Sequence, residues 1–403
     1  MQHDIVIVGA GCAGLSLAWQ LAKRGPQGRR VVLVDPRTEH TRDRTWCFWN
    51  VAPHDFEDLV SHRWAAWRVR EKNGTWVTRT SPGRRYERLE ADRFYDRVRG
   101  RLAEEPGIEL RLGVTARHIH DAGDRVIVDT SEGTIAASMA FDSRPPLPRG
   151  AAIPGRDVSL LQHFEGWEVE TSEPIFEPAV ATLMDFDHPP QPSDGLAFTY
   201  VLPTSPTRAL VEVTWFSAEV LPNDVYASHL EAWLADRGVA EWNVRHRERG
   251  VLPMRADSFA IRPSKRIHRI GLAGGAAKPS TGYAFQAIQR QSRRLAAKLE
   301  RDLVPATVPP RDRVPSAQDA VFLSYLARDP ERGRRALVRL FDRVEPDLLI
   351  RFLSDAASPA ETLEVMAAMP AKQMLAEAIR SSRLIRRAIG RIGVVDQIDA
   401  RDP

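Results

Sequence analysis

The chain has 403 residues, 57 basic against 53 acidic side chains, 43% hydrophobic and 27% charged residues, which is the balance of a soluble globular protein large enough for two or three domains. Its slight net charge calls for no nucleic-acid partner, and no apolar run approaches the roughly 18 residues of a membrane span. Cys12 and Cys47 are too few for a disulfide framework or a cysteine zinc site, the histidines show no metal-ligand spacing, and the absence of a signal-peptide layout gives a cytosolic expectation.

Asp4 to Val8 reads as a buried strand and Leu15 to Arg24 as a helix, joined by Gly9-Ala-Gly11-Cys-Ala-Gly14. In such a join Gly9 permits the tight turn, Gly11 lets backbone approach a pyrophosphate, and Gly14 lets helix and strand pack closely. A second strand, Arg30 to Val34, ends in Asp35, 21 residues after Gly14, where an acid grips a ribose hydroxyl. A plain glycine-rich turn would not require that acid. FAD is favoured over NAD, because FAD proteins usually begin this way and return to the flavin through a second motif far downstream.

Arg44 to Trp49 is an aromatic-rich loop, followed by short strands around Trp64, Trp67 and Trp76 with a turn at Asn73-Gly74. A helix is expected over 91–102 and strands near 108–112 and 125–128. The block from 150 to 254 is β-rich. In Arg208 to Phe216, alternation sends Leu210, Glu212 and Thr214 to one face and Val211, Val213 and Trp215 to the other. Further on, a strand over 267–273 ends in Gly274-Gly275, and Pro279-Ser-Thr281-Gly282 opens a helix continuing through Tyr283, Phe285 and Ile288. Such a join aims free N–H groups and the positive end of a helix dipole at an electron-rich ligand. Four helices near 317–328, 331–343, 346–354 and 359–368 follow, punctuated by prolines suited to a first helical turn. From Arg380 to Arg391 five arginines and no acid form a basic amphipathic pattern, suited either to an anionic membrane surface or to a solvated terminal helix. The expected layout is a FAD-binding domain interleaved over 1–149 and 255–305, a β-rich substrate domain over 150–254, and a helical region over 306–403. The fold class is α/β with a Rossmann-like FAD domain of the glutathione-reductase and hydroxylase kind.

FAD monooxygenases share this outline but usually carry a Gly-Asp pair after the late strand, whereas Gly274-Gly275-Ala276 has no acid. The chain instead resembles the lycopene β-cyclase family of carotenoid synthesis. The matching pieces are Arg44-Thr-Trp-Cys-Phe-Trp49, Asp92-Arg-Phe-Tyr95, Phe141-Asp-Ser-Arg-Pro-Pro146, Gln162-His-Phe-Glu-Gly-Trp167, Pro203 to Glu212, Pro279-Ser-Thr-Gly-Tyr283 and Val321-Phe-Leu323. They run through nearly the whole chain.

The resemblance implies a redox-neutral reaction: a proton is delivered to a ψ end of lycopene, the cation is attacked by the next alkene, and a proton is lost to give a β-ionone ring. It implies reduced FAD, with NADPH as electron donor, and a linear carotenoid substrate. The basic pattern from Arg380 to Arg391 gives the separate expectation of peripheral attachment to the cytoplasmic membrane. It places Glu212 as the proton-transfer residue, with Val213 standing where the family has a second acid. An alternative for Glu212 is an edge-strand carboxylate facing water. Gly9, Gly11, Gly14, Asp35, Asp142, Gly274, Gly275, Pro279, Thr281 and Gly282 are the expected cofactor contacts. Trp46, Phe48, Trp49 and Tyr283 are candidate substrate contacts through their ring faces, or simply core. Two other function classes remain open: a redox flavoenzyme, either a geranylgeranyl-type reductase or a monooxygenase, and a non-catalytic carotenoid-binding protein.

Overall fold

The computed structural model describes residues 3–26, 28–144, 160–187, 195–254, 261–301, 308–311 and 313–380, the side chains of 313–317 and 371 excepted. The arginine-rich run beyond Arg380 lies outside the described residues.

Three sheets organise the chain. The first is parallel at its centre, because Ile5–Val8 and Val31–Val34 are unbroken apolar runs that need cover on both faces. Its strands run Ile108–Leu112, Val31–Asp35, His3–Val8 and Gly133–Asp142, continuing into the antiparallel Val126–Thr130 and Ala116–Asp121. The late strand Ile267–Arg269 returns to pair in parallel with the end of Gly133–Asp142. Helices Cys12–Arg24, Ala91–Ala103 and Phe285–Leu299 supply Leu15, Leu17, Phe94, Val98, Phe285 and Leu295 to the core on one side of this sheet.

The second sheet has seven strands in the order Trp242–Met254, Leu160–Thr171, Arg208–Ser217, Leu196–Ser205, Val180–Asp185, Ala66–Arg70 and Trp76–Thr80. The last two come from the N-terminal block, so the chain crosses between the sheets early. One face is covered by the helix Asn223–Ala235, which the sequence pattern of this block did not suggest. Its Tyr226, Leu230 and Trp233 pack with Val211, Val213 and Trp215. The other face meets a small sheet of Thr45–Trp49, Tyr86–Glu90 and His62–Trp64. Trp64 crosses between them, its indole N–H donating to the Pro203 carbonyl at 2.9 Å.

The C-terminal helices are Arg313–Arg328, Pro330–Arg343, Pro346–Leu353, Pro359–Ala368 and Ala371–Arg380. Asp329, Glu345 and Ser358 cap three of them, each just before the proline of the first turn, and Ser358 with Glu361 completes a reciprocal capping box.

Two expectations are corrected. The aromatic run expected as a loop is a strand over Thr45–Trp49, because it pairs residue by residue with Tyr86–Glu90. The late helix begins at Phe285 rather than at Pro279, and the strand before it ends at Arg269 rather than Ala273. Residues 278–283 instead close a loop: the Lys278 carbonyl accepts from the N–H groups of Thr281 and Gly282, and the Lys278 N–H donates to the Tyr283 carbonyl. Gly282, with φ 74°, turns the chain out of any helix there.

Candidate active site

The nucleotide end is built from the first βα turn. Gly9 has φ 95°, and a Cβ on Gly14 would overlap the Gly9 carbonyl oxygen, so strand and helix touch there. Above Gly11 a Cβ would meet only the tip of Arg37, at 3.8 Å. The helix starting at Cys12 has no side-chain cap and no acid in its first turn, which leaves its leading N–H groups for an anion. Asp35 accepts from the Ala10 N–H at 2.6 Å and is gripped by the Arg37 guanidinium at 2.8 and 3.0 Å. Burial alone would raise its pKa; the bonds from Arg37 and Ala10 outweigh that and hold it below the usual carboxylate range. Asp142, beside Val8 in the sheet, is forked by Arg144 in the same way at 2.9 Å.

The late loop faces the second sheet. Gly275 is left-handed at φ 83°, and a Cβ on Gly274 would press the Arg269 carbonyl oxygen at 2.6 Å. A Cβ on Gly282 would overlap Gln162 Oε1, a buried acceptor with no hydrogen-bond partner. Pro279 is buried and Thr281 half-buried in this loop, whose Ser280 hydroxyl donates to Asp319 at 2.6 Å. Beneath it lies a buried ion cluster. Lys278 Nζ is 2.6 Å from Asp355, Arg311 is 2.5 Å from Asp319, and Arg311 also bonds Asp355. The cluster ties the loop to the C-terminal helices.

Glu212 is on an interior strand of the second sheet, not an edge, and is 9% exposed. Tyr200, Glu212, Gly166 and Glu248 are directly paired across four neighbouring strands, so they form one row on one face. Gly166 opens a gap in that row. A Cβ there would stand 3.3 Å from Glu248 Cγ and 3.5 Å from Glu212 Cβ. Thr214 donates to Glu212 at 2.6 Å, and Thr45 donates to Glu248 at 2.7 Å. Burial, reinforced by the Glu248 charge, pushes the Glu212 carboxyl up to about 8 despite the Thr214 bond; burial also raises Glu248. One row along, the Phe164 ring lies over Gly250, half-exposed beside Thr214.

A chain of hydroxyls runs from the end of the row, Tyr200 to Tyr86 at 2.9 Å and Tyr86 to Tyr283 at 3.1 Å, linking the late loop to Tyr200. Strand alternation divides the aromatic candidates. Thr45, Cys47 and Trp49 face the second sheet, where Trp49 packs on Trp67 and Tyr86. Trp46 and Phe48 point the other way and stack on Phe285 in the core of the nucleotide-binding side. The structure therefore joins Tyr283, through Tyr86, to the Tyr200 end of the Glu212 row, keeps Trp49 on the Trp67 side of the second sheet, and turns Trp46 and Phe48 into the other core. Sequence reasoning missed Tyr86, Tyr200, Gln162, Gly166 and Glu248. Gln162 and Gly166 stand within a family-like motif and were within reach, whereas Glu248 lies in the charged run Arg245-His-Arg-Glu-Arg249 that reads as a solvated edge strand.

Among the described residues no group of histidines, cysteines and acids is arranged to hold a metal, and no helix is long and apolar enough to cross a membrane. By fold the chain is similar to a geranylgeranyl bacteriochlorophyll reductase-like protein from Thermoplasma acidophilum, with a TM-score of 0.60 at 12% identity, covering 95% of this chain and 99% of the other. It is likewise similar to a flavin-dependent brominase, with a TM-score of 0.59 at 14% identity over 98% and 99%. In sequence it is 28% identical to a lycopene beta-cyclase of a Paracoccus species over 92% of this chain and 95% of that protein. The family described as lycopene cyclase protein matches residues 4–379. The chain belongs to the lycopene cyclase family.

Proposed function

We propose that the protein is a lycopene β-cyclase that binds reduced FAD, closes the ψ ends of lycopene to β-ionone rings without net oxidation, and works at the cytoplasmic membrane surface. The observation that carries this reading is Glu212: a carboxyl buried on an interior strand, set across Gly166 from Glu248 with the Phe164 ring one row along, where burial pushes it up to about 8. A protonated carboxyl in a dry site can donate to an alkene, which has no lone pair to attract a weaker acid.

The residues suit FAD. The open turn at Gly11 and the uncapped helix start fit a pyrophosphate, with Asp35 placed for a ribose hydroxyl that would replace one of its Arg37 bonds. The unpartnered Gln162 Oε1 beside Gly282 leaves an acceptor for a ring N–H, and the helix opening at Phe285, with no side-chain cap, favours negative charge on the ligand. A flavin held by these residues and reduced, with NADPH as the electron donor, would supply negative charge that favours a carbocation. Glu212 provides the proton; Thr214 fixes the orientation of its carboxyl. Tyr283 and Phe164, both partly exposed, offer ring faces that would stabilise a cation without trapping it.

Attachment to the membrane is supported by Leu363, Met366, Leu375 and Ile379, exposed large apolar side chains on the last two described helices, next to the arginine-rich run that begins at Arg380.

Expression in a lycopene-accumulating bacterium tests the reading. One-ring or two-ring β products are expected; unchanged lycopene, or a product with added hydrogen, would contradict it.

A further inference from the structure

The strand of Glu212 offers a neighbouring position, 213, that cannot serve as its partner. Side chains alternate along a strand, so residue 213 projects onto the helix Asn223–Ala235, with Val213 buried beside Val211 and Trp215. A carboxyl able to meet Glu212 must come from the same row on another strand. Glu248 does, two strands away across Gly166, the one residue of the row without a side chain.

We propose that Glu248 is the positioning acid of the reaction centre, forming with Glu212 a pair that holds a single proton across Gly166. This rests on the cyclase reading for the reaction, but not for the pair itself. Three features carry it. Gly166 lets both side chains into a space that any Cβ would crowd. Thr45 donates to Glu248 and Thr214 donates to Glu212, so each carboxyl is separately oriented. Among the described residues, the charged and titratable groups around the pair fit the scheme, including His246, which burial and Arg42 lower beside Glu168. Tyr200 and Cys47 are neutral, Cys47 being raised to about 12 by burial. Arg42, Arg44 and Arg88 lie near Glu248 and favour its charged form, while the ion pairs of Arg42 and Arg88 go to Glu90 and Glu168. Burial raises Glu248 as well, but the arginines lie on its side of the pair, so the proton belongs on Glu212. The Glu248 charge across Gly166 then strengthens the hold of Glu212 on that proton.

The test is the pH dependence of ring formation in the holoenzyme, with bound flavin measured by its absorbance. In Glu248→Gln the alkaline limb should move down by about one pH unit or more, because the neighbouring charge that retains the proton is gone, while Glu248→Asp should keep the wild-type limb with a lower rate. Coincident limbs for wild type and Glu248→Gln would overturn the proposal. Should Glu248→Gln lose its flavin, infrared titration of the wild type decides: one protonated carboxyl between about pH 5.5 and 7.5, missing in Glu212→Gln, is the expected result, and none or two would overturn it. Absence of ring product from wild type at every pH would sink the cyclase reading alone, since the infrared titration reads the pair without turnover.

Discussion

Two buried groups of acids in this protein treat protons in opposite ways. Asp319 and Asp355 are enclosed with Lys278 and Arg311, and though burial pushes Asp355 up, those two cations hold its carboxyl far below the usual range. Glu212 and Glu248 are as deeply buried but have each other for company, and Glu212 rises to about 8. The first group is a rivet. The second is a store for a proton, and it exists because, among the described residues, no cation stands against Glu212. Their stability contributions run oppositely with pH. Asp355 stabilises the fold above the ordinary aspartate pKa and loses that contribution as pH falls. Glu212 costs nothing below about 4.5; its cost grows as pH rises toward 8, since only the unfolded chain ionises it there.

The contrast can be broken from either side. The largest effect is expected from Glu212→Gln, which removes the proton and keeps the shape: ring formation should fall by about 10²- to 10⁴-fold with flavin still bound, as read by pigment analysis and flavin absorbance. Next comes Asp355→Ala, which leaves Lys278 and Arg311, two buried cations, to share Asp319 alone. A loss of about 3–5 kcal/mol is expected in denaturant unfolding, with weaker flavin retention because Lys278 opens the late loop. Val213→Glu puts an acid next in sequence to Glu212 but on the helix side, and should cost roughly 2–4 kcal/mol without restoring activity to Glu248→Gln. Rescue by that variant would show that the row across Gly166 is not the relevant pairing. The smallest effect belongs to Thr214→Val. Its hydroxyl favours the charged form of Glu212, so its removal should shift the alkaline limb of the pH profile upward by about one unit or less, with rates changed only a few-fold.

Much of this was legible in the sequence for a physical reason: local chemistry writes local structure. The glycine turn, Asp35 at its fixed distance and the proline-marked helices Pro330–Arg343, Pro346–Leu353 and Pro359–Ala368 all follow from short-range rules. Alternation along Arg208–Ser217 placed Glu212 and Val213 on opposite faces before any fold was known. What was not legible depends on register between distant strands. Glu248 meets Glu212 only because residues 160–171 lie between their strands with Gly166 in line, a pairing no local pattern contains. The late helix was placed too early because Pro279-Ser-Thr is a good helix opening by composition; the left-handed Gly282 and the bonds onto the Lys278 carbonyl decide otherwise. For the aromatic run the face is likewise illegible: such a run reads alike whichever side is the core, and here Thr45, Cys47 and Trp49 face the second sheet while Trp46 and Phe48 face the nucleotide-binding core.

The most direct measurement follows hydrogen in the reaction itself. Lycopene is cyclised in D₂O by the holoenzyme with reduced flavin, and the product mass and NADPH consumption are measured together. One deuterium per ring formed, with no NADPH consumed in proportion to product, is the expected result, since the proton comes from an exchangeable carboxyl and no electrons enter the carotenoid. A product without solvent deuterium, or one NADPH oxidised per ring, would contradict a proton held at Glu212 as the agent of cyclisation.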